Sequence, residues 1–525
     1  MNYHYLTIIL AIVIHWVLPT QLVLGQSAKN PIIHADVPDL SMIRVGDTYY
    51  MSSTTMHMNP GVPIMKSTDL VNWELVSYAY DLLGTGNELK LENGESTYGR
   101  GSWASSLRYH NDTYYVSTFA QNTGNTHIYS TSDIEKGPWK PIEFRPAMHD
   151  HTLFFDDDGK VYMIWGGGTI KMVELESDLR GVKPNSEREL IAKAHAPIKE
   201  EIMLHAEGSQ LFKVNGKYYL FNIAWPKGGM RTVIIHRADN IEGPYEGRVA
   251  LQDKGVAQGG LIDTPEGNWY AYLFRDNGAV GRIPYLVPVE WEDGWPVLGV
   301  DGEVPMELDN LPASKGLIPG IVASDDFKRK KREADLPLVW QWNHNPVDDL
   351  WSINRKKGYL RFKTDRLDQH FLSARNTLTQ RTIGPESMGT IKVDVSGMKE
   401  GDFAGLSLLQ RDYGLIGVQV QNGQKKLVMK KASDDKESEI ESIDFSGDSV
   451  LLRAVCDFNE RKDEGTFFYS LDGGKEWNQL GDVLKMKYTL PHFMGYRFGL
   501  FYYSTKQPGG QVDFDYFKID NQVNH

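Results

Sequence analysis

The sequence of 525 residues has almost no cysteine and is short of positive charge. Cys456 is the only cysteine, so no internal disulfide can form, and we expect a free, buried thiol. Lys and Arg number 56 against 69 Asp and Glu, for a net charge of -13. This balance repels phosphate backbones and argues against nucleic acid as a partner. Zinc-protease, P-loop, dinucleotide and nucleophile-elbow motifs are missing too, which argues against those chemistries.

Long apolar runs are scarce, and the one at the N terminus stands out. Residues 5–18 are apolar, and residues 23–25 (Val-Leu-Gly) offer a small-residue cleavage site, so we interpret residues 1–25 as a secretory signal peptide. No Lys or Arg precedes Lys29, and a membrane-anchor helix is the alternative. No cysteine lies near the cleavage point, which argues against a lipoprotein. We therefore expect a periplasmic or secreted protein with no membrane anchor after cleavage.

The chain is rich in Gly (50) and Tyr (26), and these residues mark a repeated hairpin. Five segments share a small, polar or aromatic head residue, a short apolar run, a turn with Gly, Asn or Asp, and aromatic residues on the return arm. The head and the final Tyr are 12 positions apart in four segments and 11 in the first, which a shorter turn would explain. The segments are residues 39–50, 103–115, 150–162, 207–219 and 258–270.

Five copies at intervals of about 47 to 65 residues predict an all-β fold that begins with a five-bladed β-propeller over residues 30–317. A β-sandwich made of repeated hairpins is the alternative, but it would not explain the constant period. From residue 317 the pattern breaks, and a basic run at 328–332 is interpreted as a solvated loop. Apolar runs between turns then predict a β-sandwich over residues 323–523.

In a propeller the inner strands converge on one axis, so the five head residues should face one another around a central funnel. Two heads are Trp103 and Gln258, and three are acids. A lone Asp at a strand head is usually a turn or capping residue, but three acids at one register repel one another and spread their pKa values. A neutral acid beside a carboxylate suits glycoside hydrolysis. Clustered acids can also hold a metal, although no histidine motif accompanies these. The acids are Asp39, Asp150 and Glu207.

Several ordered motifs carry a family resemblance. They are DVPDLS at residues 36–41, WA at 103–104, FFDDDGK after Asp150, EG at 207–208 and GAVGRIPYLVPVEWEDGWPVLG at 278–299. In this order they resemble glycoside hydrolase family 43 through essentially the whole propeller. The C-terminal part, with LVWQWNHNP and SARNTLTQRT, resembles the jelly-roll, concanavalin-like sandwich attached to β-xylosidase and α-L-arabinofuranosidase members.

The resemblance implies an inverting mechanism with a role for each acid. Asp39 would be the general base, Glu207 the general acid, and Asp150 would modulate the pKa of Glu207. Inversion requires room for a water molecule, hence a separation of roughly 6.5 to 9.5 Å between base and acid. Asp36 is an alternative base, but Asp39 has the register of the other heads.

Five further residues are candidates for substrate binding. Arg282 matches the family's funnel arginine, with a surface ion pair as the alternative, and Trp103 would form a wall of the pocket unless it is a core residue. His57 lies in a loop near the expected mouth and could instead be structural. Asp36 and Gln258 complete the set. Because many members carry a histidine that helps to hold calcium or water where this chain has Gln258, we predict neither metal nor cofactor.

The sequence predicts an exo-acting enzyme that releases terminal α-L-arabinofuranose from hemicellulose side chains of an oligosaccharide or polysaccharide, such as arabinoxylan or xyloglucan. The loop at residues 54–61 lacks the bulky aromatic and acidic residues that xylosidases of similar architecture tend to carry. The alternatives are a β-xylosidase, a propeller that binds carbohydrate without cleaving it, and sugar binding by the sandwich alone.

Overall fold

A computed structural model describes residues 27–316 and 320–523 of the chain. Regular structure there is β-strand apart from four short 3₁₀ helices, at Gly278–Val280, Asp348–Leu350, Phe371–Ser373 and Asn459–Arg461. In these two ranges, no helix is long and apolar enough to cross a bilayer. The predicted signal peptide at residues 1–25 and the predicted domain boundary at residue 317 lie outside the described residues.

Five antiparallel sheets of four strands form the blades of a propeller. The innermost strand of each blade contacts the innermost strands of both neighbouring blades, and the fifth blade contacts the first, so the ring is closed. This confirms the prediction of a five-bladed propeller.

In each blade the strand nearest the axis comes first in the sequence, and the others lie progressively further out. Blade 1 has Ser41–Val45, Thr48–Ser52, Gly61–Ser67 and Glu74–Tyr80, and blade 2 has Ser102–His110, Thr113–Ala120, Asn125–Thr131 and Lys140–Phe144. Blade 3 has Thr152–Phe155, Val161–Trp165, Ile170–Glu174 and Arg188–Ile191. Blade 4 has Ile202–Val214, Lys217–Pro226, Thr232–Ala238 and Glu246–Leu251, and blade 5 has Val256–Asp263, Trp269–Asp276, Arg282–Glu292 and Trp295–Leu298.

The shorter head-to-Tyr spacing in blade 1 has two causes. Blades 3 and 5 have longer turns, as the sequence suggested. In blades 2 and 4, however, the turns contain two residues, as in blade 1. There the extra residue lies in a β-bulge of the inner strand, between Ser102 and Ser105 and between Glu207 and Gln210. A bulge re-aims side chains near its position, and both bulges lie beside head residues.

The C-terminal part is a sandwich of two large antiparallel sheets. This confirms the prediction of a β-sandwich after the propeller. The first sheet runs in the order Lys436–Phe445, Gln424–Ser433, Gly414–Gln421, Asp402–Leu409, Arg497–Ser504, Leu378–Arg381, Gln341–Asn343 and Met58–Asn59. The second contains Trp351–Asn354, Tyr359–Lys363, Gln511–Asp520, Glu386–Asp394, Ser449–Asp457, Glu464–Ser470, Asn478–Gln479 and Leu484–Lys485. A two-stranded pair, Ser27–Lys29 with Glu307–Pro312, joins the two ends of the propeller.

The two domains are joined by strand pairing and by a shared core. The strand Met58–Asn59 leaves blade 1 and pairs with Gln341–Asn343, so it extends a sheet of the sandwich. One continuous hydrophobic cluster includes propeller residues such as Val37 and sandwich residues such as Ile383. The backbone carbonyl of Asp36 accepts a hydrogen bond from Arg381 Nε at 2.9 Å. These contacts fix the sandwich against the propeller beside the head residues.

Candidate active site

The head residues meet on the propeller axis, and several share an unusual backbone conformation. Asp39, Asp150 and Gln258 have positive φ angles of 52°, 47° and 55°, and in blade 4 the adjacent Gly208 has a φ of 69°. For residues other than glycine this conformation costs roughly 1–3 kcal/mol and is held in place by the surrounding structure. Asp39, Asp150, Gly208 and Gln258 line a cavity of about 10 Å³. The structure therefore brings the predicted base, the predicted modulator and the fifth head together.

Asp39 is paired with Arg282. Arg282 Nη1 donates to Asp39 Oδ1 at 2.8 Å, and both side chains are buried. Asp276 lies 3.5 Å from Arg282 Nε and 2.7 Å from Arg231 Nε, so it links the two guanidinium groups. Burial raises the pKa of Asp39, while Arg282 and Arg231 act in the opposite direction. A buried carboxylate with this partner can stay ionised, as a general base must.

Asp150 and Glu207 form a second acidic group together with His149. His149 Nε2 lies 3.0 Å from Glu207 Oε2 and 3.8 Å from Asp150 Oδ2. Burial raises the pKa of Asp150 to about 7, with Glu207 and Asp39 adding to the rise and His149 opposing it. The sequence did not single out His149, although its position next to Asp150 was a usable signal.

Trp103 and Phe493 form an aromatic wall beside these acids. The rings of Trp103 and Phe493 lie 4.6 Å apart, and Trp103 also stacks on Phe119 at 6.0 Å. The guanidinium carbon of Arg282 lies 4.4 Å from the centre of the Phe493 ring. Phe493 belongs to a loop of the sandwich, so the second domain contributes to the funnel. The hairpin repeat could not reveal it, because Phe493 lies outside the propeller.

Asp36 does not have the position of a base. It is buried, and its carboxylate accepts backbone N–H groups of Arg282 at 2.8 Å and Gly495 at 2.9 Å. A Cβ at position 495 would lie 2.2 Å from the backbone oxygen of Val280, so glycine permits this close approach of the two domains. Asp36 therefore ties the sandwich to the propeller, and its predicted role in substrate binding stays a prediction.

The structure does not bring His57 to the funnel. Its side chain is buried, with Nε2 3.0 Å from Asn343 Oδ1 of the sandwich. Its ring packs against His344 at 4.7 Å and His492 at 6.3 Å. This group, the junction histidines His57, His344 and His492, lies between the domains. The loop at residues 54–61 is almost fully buried with it, so the basis for placing His57 near the substrate is removed.

In the described part of the chain, one group of side chains has donor atoms close enough together to hold a metal ion. Atoms of His149, Asp150 and Glu207 lie within 4.8 Å of one another. Two of the three are the predicted acid and its modulator, and the His149–Glu207 distance of 3.0 Å is that of a hydrogen bond. We interpret the group as proton-transfer machinery. The expectation that no metal takes part stays a prediction.

The three acids provide the groups that general acid–base catalysis needs. Burial raises the pKa values of both Asp39 and Asp150, but Asp39 has a guanidinium partner at hydrogen-bond distance, as suits a base, whereas Asp150 lies beside Glu207. Groups whose environments separate their pKa values can divide the acid and base roles between them. Hydrolysis of a glycosidic bond uses such a division.

Two family models and several known proteins match this chain. The model for glycosyl hydrolases family 43 matches residues 28–296, and the β-xylosidase C-terminal concanavalin A-like domain matches residues 324–520. A β-xylosidase of Formosa agariphila is 30% identical, over 94% of this chain and 90% of that protein. A non-reducing end α-L-arabinofuranosidase of Bacteroides ovatus is 26% identical, over 81% of this chain and 82% of that protein.

A solved structure extends the comparison. The structure of a bifunctional GH43-CE protein from Bacteroides eggerthii is 63% identical, with a TM-score of 0.94, over 95% of this chain. This chain spans 64% of the length of that protein. The family models cover both domains described above. The chain is a glycoside hydrolase and belongs to glycosyl hydrolases family 43.

Proposed function

We propose that this enzyme is an exo-acting, inverting glycosidase that removes terminal α-L-arabinofuranose from hemicellulose side chains, such as those of arabinoxylan or xyloglucan. In this proposal Asp39 activates water, Glu207 protonates the leaving oxygen, and Asp150 modulates and orients Glu207. The protein acts outside the cytoplasm, in the periplasm or the medium, where such polymers are available.

The observation that carries the exo assignment is the loop of the sandwich above Arg282. Phe493 on this loop packs 4.4 Å from the Arg282 guanidinium and 4.6 Å from Trp103. Because the Phe493 loop closes one side of the funnel, the funnel fits the end of a polysaccharide chain better than an internal linkage. The similarity to the B. ovatus arabinofuranosidase supports the choice of sugar. The buried loop at residues 54–61 no longer contributes to that choice.

A β-xylosidase is the second candidate. The relative from F. agariphila that carries this name matches 94% of the chain at 30% identity. Xylose and arabinose are isomeric pentoses, and the same three acids could act on either glycoside. A direct comparison of the two substrates distinguishes the arabinofuranosidase from the xylosidase.

The test is a panel of aryl pentosides with the wild type and the variant Glu207→Ala. We expect a higher kcat/KM on aryl α-L-arabinofuranoside than on aryl β-D-xylopyranoside, and release of arabinose from arabinoxylan or xyloglucan. Glu207→Ala should remove the release of arabinose from the polymer, whose leaving group is poor, and keep a folded protein, as judged by circular dichroism. Release of xylose without arabinose would replace the first candidate by the second, and binding without turnover would contradict both.

A further inference from the structure

His149 contacts Glu207, the proposed general acid. The roles proposed above for Asp39, Asp150 and Glu207 do not involve His149. It lies between the last strand of blade 2 and the first strand of blade 3, immediately before Asp150. Its ring packs edge-on against Phe119 at 5.2 Å, and Phe119 in turn stacks on Trp103. The His149 side chain is 41% exposed and the Glu207 side chain 23% exposed. His149 is therefore held by the aromatic wall and is still open to the funnel.

The hydrogen bond to Glu207 uses one of the two carboxylate oxygens. His149 Nε2 lies 3.0 Å from Glu207 Oε2, within the range of a charge-assisted hydrogen bond. We propose that His149 is a positioning residue for the proton donor: it fixes Glu207 through Oε2, so that Oε1 carries the proton to the leaving oxygen, and it stabilises the carboxylate that this transfer creates. The inference rests on the proposed role of Glu207 as the acid.

The proton balance of the step is simple. Glu207 begins protonated on Oε1, and its O–H bond breaks as the leaving oxygen gains the proton and its bond to the anomeric carbon breaks. Glu207 ends as a carboxylate that accepts the N–H of the His149 imidazolium, which keeps its own proton. Because a hydrogen bond from a cation favours the charged form of a carboxyl group, His149 stabilises the carboxylate that the transfer leaves on Glu207. Asp150, which is negative when ionised, has the opposite effect.

The groups around His149 favour its charged form. Burial alone would lower the pKa of His149, but Asp150, Glu207 and Asp39 outweigh burial and raise it to about 9. The other charged or titratable neighbours are Arg282, which is paired with Asp39, and His151. Burial lowers the pKa of His151 to about 4, so His151 is neutral at neutral pH. His149 then supplies the positive charge next to the two acids.

The experiment compares wild type with His149→Gln, which keeps a polar side chain and removes the charge. The pH profile of kcat/KM is measured in buffer with EDTA, on aryl pentosides with good and poor leaving groups. We expect the alkaline limb of His149→Gln to move to higher pH by about one unit, since Asp150 next to the proton donor loses the cation that opposes the rise of its pKa. We also expect a loss of about tenfold on poor leaving groups and little loss on good ones, because only poor leaving groups depend on a strong acid.

Controls separate this role from a structural one. His149→Asn is a second neutral variant that should give the same shift, and His110→Gln removes a histidine at the far end of the blade 2 strand. His110→Gln should keep the wild-type profile. An unshifted alkaline limb together with an unchanged leaving-group dependence, in whichever His149 variant folds, overturns the proposal.

Failure of the proposed function gives a different result. If the wild type cleaves no pentoside, the arabinofuranosidase and xylosidase assignments fail. The same profiles are then measured on the aryl glycoside that the wild type does cleave in a wider panel, because the inference concerns proton transfer and not the sugar.

Discussion

Arg282 donates a hydrogen bond of 2.8 Å from Nη1 to Oδ1 of Asp39, and both side chains are buried. A buried carboxylate loses the hydration that stabilises its charge, so burial raises its pKa. The guanidinium group opposes this effect. The pair thus supplies a positive charge that favours the ionised form of Asp39, which is the form that a general base needs.

We predict that Arg282→Gln weakens the base. Without the guanidinium group the pKa of Asp39 rises further, so the acidic limb of the kcat/KM profile should move to higher pH, and activity should fall by about 10²- to 10⁴-fold. Because removal of one partner leaves a buried charge, the free energy of unfolding should also fall by about 3 kcal/mol. Arg248→Gln, at a half-exposed arginine of blade 4, is the control. A wild-type profile for Arg282→Gln would show that the pair does not govern the base.

The aromatic wall predicts that the sandwich takes part in substrate binding. Phe493→Ala removes the ring that packs on Trp103 and over Arg282. We expect KM to rise by about fivefold, as for the loss of an aromatic contact of roughly 1 kcal/mol. Leu490→Ala changes a side chain of the same loop that is 70% exposed, and its kinetics should stay as in wild type. Equal KM values for Phe493→Ala and wild type would exclude a role of this loop in binding.

The junction histidines predict a loss of stability in acid. Burial lowers the pKa of His57 to about 3 and the pKa values of His344 and His492 well below the ordinary value. A group whose pKa is lower in the folded protein than in the unfolded chain binds protons on unfolding. Stability is therefore full above about pH 6.5 and is lost as the pH falls towards the folded values.

His492→Phe tests this linkage because phenylalanine keeps a ring in the stack on Tyr98, at 4.2 Å. Below about pH 5.5, the dependence of the free energy of unfolding on pH should be weaker by about 1.4 kcal/mol per pH unit, the effect of one proton. Denaturant unfolding at several pH values measures it. His370→Phe, at an exposed histidine, should keep the wild-type slope. An identical slope for His492→Phe would mean that His492 is not neutral in the folded protein.

We also predict that activity needs no metal. Proton transfer by Asp39 and Glu207 completes the reaction, so dialysis against EDTA should leave kcat/KM within about twofold of the untreated value. A loss of activity that calcium restores would contradict this prediction and would assign the group of His149, Asp150 and Glu207 to a cation instead.

The propeller could be predicted because its hairpin unit repeats along the sequence. The period of the hairpins is visible in one sequence, and a closed ring of such units places the equivalent positions Asp39, Asp150 and Gln258 on one axis. The β-bulges of blades 2 and 4 were not predictable, since an extra residue can be placed in a strand or in a turn with the same spacing.

Features that depend on contact between the domains could not be predicted. His57 lies close to the first head in sequence, but Asn343 and the other junction histidines bury it. Phe493 is more than two hundred positions after Arg282, and only the docking of the sandwich brings them together. A repeat within one domain carries no information on such a docking.

The configuration of the sugar at the moment of release tests the roles of Asp39 as base and Glu207 as acid most directly. Proton NMR during cleavage of an aryl α-L-arabinofuranoside by the wild type should show β-L-arabinofuranose as the first product, before mutarotation, because Asp39 directs water to the face opposite the bond that Glu207 protonates. The appearance of α-L-arabinofuranose first would mean retention, and would contradict the assignment of Asp39 as base and Glu207 as acid.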